Sequence, residues 1–148
     1  MRIGLDANAV CGVGSKNRGI GNYCTDMIEA LVRGFPEDEF FLLNCCENAP
    51  FGHGISGLPN FHEEFHYIAP AAALHCGEAA TELTGEVVRS FVAANRLDAF
   101  LVTSPFDTFY PTYSREWFGD IPVAAIVYDI IPYVFQKRYL GDPAALRR

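Results

Sequence analysis

Short apolar runs alternate along the chain with segments of helical periodicity. Runs at Arg2–Ala7, Glu39–Asn44, Asp98–Thr103 and Val123–Val127 have the length of β-strands, and a further strand is predicted within Phe61–Ala69. The last run, VAAIV, is uninterrupted, which is typical of a strand covered on both faces. The alternation predicts an α/β domain with a Rossmann-like, three-layer arrangement around a mostly parallel sheet.

Two helices are predicted between these strands. The first follows a glycine-rich loop, Cys11–Gly21, and ends at the stop signals Gly34 and Pro36. The second ends near Asn95. The apolar faces of the two helices are predicted from the residues at helical spacing, which are Ile20, Tyr23, Met27, Ile28 and Leu31 in the first and Leu83, Val87, Val88, Phe91 and Val92 in the second.

Two long loops and the C-terminal segment complete the predicted organisation. Cys45–Asn60 is rich in glycine and proline, and Ser104–Pro122 is rich in aromatic residues. Near the C-terminus, Asp142 and Pro143 are the residue types of a helix N-cap and a first helical position. Because the chain ends about one turn later, we expect either a sequence cut from a longer protein or a short closing helix packed on the sheet.

Composition and charge narrow the classes of protein that fit this pattern. The 148 residues suffice for one domain, and 50% hydrophobic with 20% charged residues is a globular composition. The net charge of −7 disfavours nucleic-acid binding, which generally uses a basic face. No apolar run reaches the roughly 20 residues of a membrane-spanning helix, and Met1–Val10 predicts a strand rather than a signal peptide. The five cysteines match neither a zinc site nor a disulfide framework, so we expect reduced thiols and a cytoplasmic protein.

The loop after the first predicted strand is the first candidate for ligand binding. Gly12, Gly14, Gly19 and Gly21 lie between that strand and a helix N-terminus. Glycines let the backbone approach a ligand, and the N–H groups at a helix start favour an anion such as a diphosphate. The spacing matches neither the Walker pattern nor the dinucleotide fingerprint. A tight turn without a ligand is therefore the alternative.

Four segments together resemble a known family. RIGLDA, RGIGNY (Arg18–Tyr23), SPFD (Ser104–Asp107) and VYDIIPYVFQKRYL (Val127–Leu140) resemble, in this order, the N-terminal domain of bacterial family 4 (group 1) glycosyltransferases. The resemblance covers the whole chain. It implies one half of a GT-B fold, in which two Rossmann-like domains face each other across a cleft. Residues 1–148 would be the acceptor-side domain, and the donor-binding C-terminal domain would lie outside this chain.

The resemblance also implies an activity. The full-length protein would be a retaining glycosyltransferase that moves a sugar, for instance mannose, from a nucleotide-sugar donor to an acceptor hydroxyl. It would use no metal and no cofactor, and would act in cell-surface polysaccharide or lipopolysaccharide synthesis. Its partners would be the nucleotide sugar, a sugar or lipid-linked acceptor and the C-terminal domain. The full-length protein would be cytoplasmic or peripheral at the inner face of the membrane, and the 148-residue chain alone would be inactive.

The family's site residues carry over to eight positions. By the resemblance, the backbone of Gly19 and Gly21 lies at the cleft near the donor phosphates or the acceptor, and Arg18 adds positive charge there. Many members have His-Asp where this chain has Tyr128 and Asp129, the pair assigned to catalysis, although Asp129 as a cap or turn residue before Pro132 is the alternative. A tyrosine hydroxyl can still hydrogen-bond a sugar hydroxyl, although a phenol is a poor base at neutral pH. Substrate contacts are also expected from Ser104, Phe106 and Asp107, which follow the preceding predicted strand.

Asp6 and the aromatic loop allow structural interpretations alongside functional ones. Asp6 is expected to hydrogen-bond the backbone of the glycine-rich loop and so to shape it. The aromatic residues of the loop either stack on a sugar or anchor the loop to the core. They are Phe109, Tyr110, Tyr113, Trp117 and Phe118.

His62 and His66 are four residues apart, beside Glu63 and Glu64, which is a zinc-site spacing if the segment is helical. No third ligand accompanies them. A solvated segment is therefore favoured over a metal site.

Two rival functions remain open. Metal-dependent ribonucleases of the PIN type also begin with an apolar strand that ends in Asp and Asn, as RIGLDAN does. In that interpretation Asp6, Asp107 and Asp129 would surround a divalent ion. The other rival is a non-catalytic nucleotide-binding module, which would bind a free nucleotide without a second domain.

Overall fold

The computed structural model describes residues 1–46, 50–52, 54–68, 70–105 and 113–128, and of residues 70–77 the backbone alone. Its centre is a parallel five-stranded sheet in the order β3-β2-β1-β4-β5. The strands are β1 (Arg2–Asp6), β2 (Glu39–Asn44), β3 (Phe61–Phe65), β4 (Ala99–Val102) and β5 (Val123–Ala125). This sheet confirms the predicted Rossmann-like α/β fold.

Among the described residues, three helices and one short 3₁₀ turn accompany the strands. They are α1 (Asn8–Cys11), α2 (Gly19–Gly34), α3 (Pro70–Asn95) and the 3₁₀ turn Arg115–Phe118. α1 was not predicted, because four residues are too few to show a periodic pattern. α3 begins well before the first predicted apolar position, Leu83. Its first half is rich in alanine, which favours a helix through backbone propensity without marking one face.

The two faces of the sheet carry separate hydrophobic cores. Successive residues of β2 point to opposite faces, so Phe40 joins one core and Phe41 joins the other. α2 packs on the first face through Ile28, and α3 packs on the second through Phe91. The chain is therefore a three-layer α/β/α structure, as predicted.

Three predictions about burial are wrong. Tyr23, assigned to the apolar face of the first helix, is 52% exposed, whereas the core side of α2 is formed by Gly21, Cys24, Ile28 and Val32. The run at Val123–Val127 was predicted to be covered on both faces, yet Ala124 and Ala125 are exposed. The reason is topological, because β5 is an edge strand of the described sheet. Leu83 is likewise exposed, since the core side of α3 runs through Val88 and Phe91.

Candidate functional site

The carboxyl ends of β1, β4 and β5 lie along one edge of the sheet. β1 pairs with β2 on one side and with β4 on the other, so the loops after β1 and β4 leave the sheet in opposite directions. This point of divergence is where open α/β sheets bind their ligands. The glycine-rich loop follows β1, and Tyr128 follows β5, so both candidate segments are at this edge.

An inner polar network ties β1 to β4 at the point of divergence. Asp6 is completely buried, and its Oδ1 accepts hydrogen bonds of 2.8 Å from the Asn8 N–H and from the Thr103 hydroxyl. Its Oδ2 accepts a 2.6 Å bond from the Thr103 N–H. The Thr103 hydroxyl in turn accepts a bond of 3.1 Å from the Ala9 N–H. Asp6 thus bonds to the backbone at the start of α1 and to the end of β4, and a bond from Asp6 to the glycine-rich loop stays a prediction.

Two buried thiols lie beside this network. The Cys24 Sγ is 3.7 Å from the Thr103 carbonyl oxygen, to which it donates. Burial, with a smaller contribution from the negative charge of Asp6, raises the pKa of the Cys24 and Cys45 thiols to about 12. Both are therefore protonated at neutral pH. Cys11 and Cys46 are buried too, and none of these four cysteines is disulfide-bonded.

A second, partly buried network orders the segment after β2. Asn44 is fully buried, and its Nδ2 donates a 2.8 Å hydrogen bond to Glu63 Oε1 on the neighbouring strand. Asn44 Oδ1 accepts a 3.0 Å bond from the Cys46 N–H, and both oxygens of Glu63 accept from the Phe51 N–H at 3.1 and 3.0 Å. These contacts were not predicted. A polar residue closing an apolar run, as Asn44 closes EFFLLN and Thr103 closes DAFLVT, is the sequence signal that marks such residues.

The glycine-rich loop is held by its own backbone. Ser15 and Lys16 donate to the Gly12 carbonyl oxygen at 3.1 and 3.0 Å, and Arg18 donates to that of Ser15 at 2.9 Å. A Cβ on Gly21 would be 2.5 Å from the Ser15 carbonyl oxygen and 2.7 Å from that of Lys16. Gly21 is therefore required for packing between helix and loop, irrespective of any ligand.

An exposed rim lies outside these networks. A Cβ on Gly19, the first residue of α2, would be 2.6 Å from the Tyr128 hydroxyl oxygen. The Tyr128 ring also lies beside Tyr23 of α2, with a centroid separation of 6.1 Å and an interplanar angle of 49°. Gly19 is exposed, and 52% of each tyrosine is exposed. The structure thus places the start of α2 and the segment after β5 in direct contact.

Arg18 adds charge to this rim. It precedes α2 as its N-cap residue, is exposed, and finds no carboxylate partner in the part of the chain that the structure describes. The first turn of α2 contains no acidic residue. The N–H groups of a helix's first turn lack intrahelical acceptors, so this end of α2 has the electrostatics of an anion site.

The remaining predicted site residues are divided between the interior and the segments not described. Ser104 directly follows Thr103 and is 7% exposed, so little of its side chain reaches the rim. Three other predicted site residues, Phe106, Asp107 and Asp129, fall outside the described ranges. So do two aromatic residues of the loop, Phe109 and Tyr110, and the predicted helix start at Asp142 and Pro143.

The described aromatic residues of the loop after β4 are anchors. Trp117 and Phe118 are 5% and 2% exposed. The Phe118 and Phe100 ring centroids are 4.8 Å apart, and a Cβ on Gly85 of α3 would be 2.8 Å from Trp117 Nε1. Tyr113 packs against Phe100 at 6.1 Å between centroids. Of the two alternatives, the anchoring role holds for these three residues.

The histidine pair does not have the helical geometry of a zinc site. His62 lies on β3 and stacks on Phe41 with ring centroids 4.7 Å apart. His66 follows β3, and its Nε2 is 3.6 Å from Glu64 Oε2. No group of three His, Cys, Asp or Glu residues arranged for a metal ion occurs among the described residues.

Comparisons with known proteins add little to this geometry. Neither a known protein family nor a curated protein matches the sequence. A solved structure of dTDP-glucose 4,6-dehydratase from Bacillus anthracis strain Ames, in complex with NAD, matches with a TM-score of 0.42 and 11% identity. The match covers 69% of this chain and 26% of that enzyme, and a similarity of this degree is too low to bear on function. Within the described ranges, no helix is both long and apolar enough to cross a bilayer.

Proposed function

We propose that residues 1–148 form the acceptor-side domain of a GT-B glycosyltransferase, which moves a sugar from a nucleotide-sugar donor to an acceptor hydroxyl. The carrying observation is the contact between the start of α2 and Tyr128, where a Cβ on Gly19 would be 2.6 Å from the tyrosine hydroxyl. That contact joins the RGIGNY and VYDIIP segments, on which the resemblance to this family depends. They are more than 100 positions apart in the chain.

The chemistry of sugar transfer suits the charges on the rim. The bond between the anomeric carbon and a diphosphate oxygen breaks, a bond to the acceptor oxygen forms, and the proton of the acceptor hydroxyl passes to the departing diphosphate. The departing diphosphate gains negative charge, so positive groups nearby stabilise the transition state. Arg18 and the first-turn N–H groups of α2 are candidates for this role, alongside groups on the donor-binding domain.

In this proposal Tyr128 binds and orients a sugar. Its hydroxyl can donate a hydrogen bond to a sugar hydroxyl or accept one from it, which fixes the position of the sugar ring without removing a proton. The catalytic assignment of Asp129 rests on the sequence alone. Acceptors that are sugars or lipid-linked sugars, action in surface polysaccharide or lipopolysaccharide synthesis, and a place at the inner membrane face belong to the same proposal.

The test is release of a nucleoside diphosphate by the full-length gene product, incubated with a panel of nucleotide sugars and a lipid-linked oligosaccharide extract. We expect Arg18→Ala to lower kcat/KM for the nucleotide sugar about tenfold, the loss of one charge-assisted hydrogen bond. Arg89→Ala is the matched control, because Arg89 is an exposed arginine of α3 that pairs with Glu86. Turnover by the isolated 148-residue chain would contradict the proposal, as would the absence of release with every donor.

The nuclease alternative loses support from the inner polar network. Both carboxylate oxygens of Asp6 accept hydrogen bonds from the end of β4 or the start of α1, inside the fold. We expect no rise in melting temperature that is specific to magnesium or manganese. Stabilisation by a free nucleotide, without transfer by the full-length product, would instead indicate the non-catalytic binding module.

A further inference from the structure

We propose that Tyr23 and Tyr128 together form an aromatic surface that binds a pyranose ring of the acceptor, which makes Tyr23 a substrate-contacting residue. The inference rests on the proposed function, and deepens it by assigning the acceptor a position and a chemical class. Tyr23 and Tyr128 thus form a tyrosine pair.

Both residues of the tyrosine pair are half-exposed to solvent. Tyrosine rings in a folded domain mostly bury their apolar faces and leave the hydroxyl exposed to solvent. Here 52% of each residue is exposed, although the rings come from different elements and meet at 6.1 Å between centroids. An aromatic pair that is half-exposed at the carboxyl edge of a parallel sheet lies where such sheets bind ligands.

The angle between the rings favours a sugar over a nucleobase. A flat base held between two rings requires parallel planes about 7 Å apart, twice the carbon–carbon contact distance. The tyrosine pair is tilted by 49° with centroids 6.1 Å apart, so it forms no such slot. A pyranose ring is puckered, with C–H groups on its faces and hydroxyls at its edge. It can lie across two inclined rings while the two phenol hydroxyls bond its own.

The backbone next to the pair is shaped to keep Tyr128 in place. A Cβ on Gly19 would be 2.6 Å from the Tyr128 hydroxyl oxygen, so any larger residue would displace the ring. Gly19 itself is exposed, so a ligand on the tyrosine pair would lie beside the start of α2. The exposed Arg18 is the neighbouring residue, so a ring on the tyrosine pair would lie close to the charge that the diphosphate requires.

The direct test measures sugar binding by saturation-transfer NMR, with methyl α-mannoside and methyl α-glucoside as the probes and the full-length gene product as the protein. Tyr23→Ala and Tyr128→Ala are expected to weaken binding of at least one probe about fivefold to tenfold, the loss of one stacking face. Tyr23→Phe keeps the face and should retain most of the binding. Tyr67→Ala is the matched control, because Tyr67 is 49% exposed and follows β3 at the other end of the sheet.

The kinetic test separates this inference from the proposed function. Tyr23→Ala should raise the KM for the acceptor about tenfold while leaving the KM for the nucleotide sugar unchanged. Transfer with an unchanged acceptor KM would keep the transferase and overturn the tyrosine pair. Sugar binding that depends on Tyr23, without transfer from any donor, would keep a sugar-binding surface and remove the transferase. An equal loss of binding in Tyr67→Ala would overturn the inference.

Discussion

Two neighbouring regions at the carboxyl edge of the sheet use polar residues in opposite ways. In the inner network, Asp6 and Thr103 are completely buried, and their side chains bond to each other and to backbone N–H groups. On the outer rim, Tyr23 and Tyr128 are half-exposed and Arg18 has no carboxylate partner among the described residues. Position at the edge where open α/β sheets generally bind ligands is therefore insufficient to assign function, because the hydrogen-bonding capacity of the inner network is used by the fold.

The difference follows from solvent access. A carboxylate removed from water is stable only when its oxygens accept hydrogen bonds from the protein, so Asp6 depends on the exact pairing of β1 with β4. A phenol or guanidinium that is exposed to solvent can hydrogen-bond to water, so its stability does not require hydrogen-bond partners in the protein. Substitutions in the inner network should consequently change the free energy of unfolding, and substitutions on the rim should change binding.

The largest expected effect is that of Asp6→Asn. The amide group of asparagine has only one acceptor oxygen, so its NH₂ must face a donor, either the Thr103 N–H or the donors at Oδ1. We expect a loss of about 4 kcal/mol in the free energy of unfolding, from charge-assisted bonds lost and a buried donor left unsatisfied. Urea unfolding followed by circular dichroism measures it.

The control for this variant is Asp26→Asn, because Asp26 is an exposed aspartate of α2. It should stay within about 0.5 kcal/mol of the unmodified protein. If Asp6→Asn fails to fold, Thr103→Ser and Thr103→Val provide a milder pair, since only serine keeps the hydroxyl. Equal stability of Asp6→Asn and Asp26→Asn would remove the distinction between the two regions.

The next effect is a loss of stability at alkaline pH. Folding raises the pKa of the Cys24 and Cys45 thiols from 9.0 to about 12, chiefly through burial. Between pH 9 and about pH 12 the unfolded chain releases thiol protons that the folded protein retains. The stability contributed by these thiols is therefore complete below pH 9 and is lost as the pH rises towards 12. Each thiol accounts for about 1.4 kcal/mol per pH unit, hence about 3 kcal/mol for the two at pH 10.

Thermal melts between pH 8 and pH 11 test this prediction on the protein and on Cys24→Ala/Cys45→Ala. The double variant starts from a lower melting temperature at pH 8, because alanine leaves small cavities. Its further decline with pH should be shallower. Parallel declines in the two proteins would show that other groups dominate the alkaline behaviour.

A smaller effect is expected at Gly21, which lies between the two regions. Alanine there would bring a Cβ against the carbonyl oxygens of Ser15 and Lys16, and the loop backbone must move to relieve the contact. We expect a cost of about 2 kcal/mol, in the range for an overpacked site. Gly34→Ala in the same helix is the control, because a Cβ added there would meet no neighbouring atom within 4 Å and alanine favours the helix. A stabilised Gly21→Ala would show that the loop is not packed as described.

Much of this architecture was predictable because it depends on local patterns. β2 has the predicted bounds, Glu39–Asn44, and β1, β3 and β4 fall within the predicted runs. Asp6 was expected to bond to the backbone of the glycine-rich loop, whereas the described bond joins it to Asn8, two positions along the chain. Partners distant in the sequence were not predictable. Thr103 is 97 positions from Asp6, and only the pairing of β1 with β4 brings the two together.

The candidate site was predictable in its segments and less so in the function of single residues. The glycines after β1 were identified, but the sequence does not reveal that the loop's own carbonyl oxygens approach Gly21. Tyr23 occupies a helical spacing that fits the core, and its exposure depends on where the helix face ends relative to the sheet. Whether a residue at this edge supports the fold or faces a ligand is decided by tertiary packing.

The smallest effect on stability is expected for the rim itself. Tyr23→Ala should change the free energy of unfolding by less than about 0.5 kcal/mol, the ordinary range for a surface substitution. Urea unfolding measures this on the same samples used for sugar binding. A loss of about 2 kcal/mol or more, on the scale of a buried aromatic side chain, would place Tyr23 with the inner network and make its contact with Tyr128 structural. Unchanged stability together with weakened sugar binding requires that the exposed rings contribute to recognition, because the free energy of unfolding would then not depend on them.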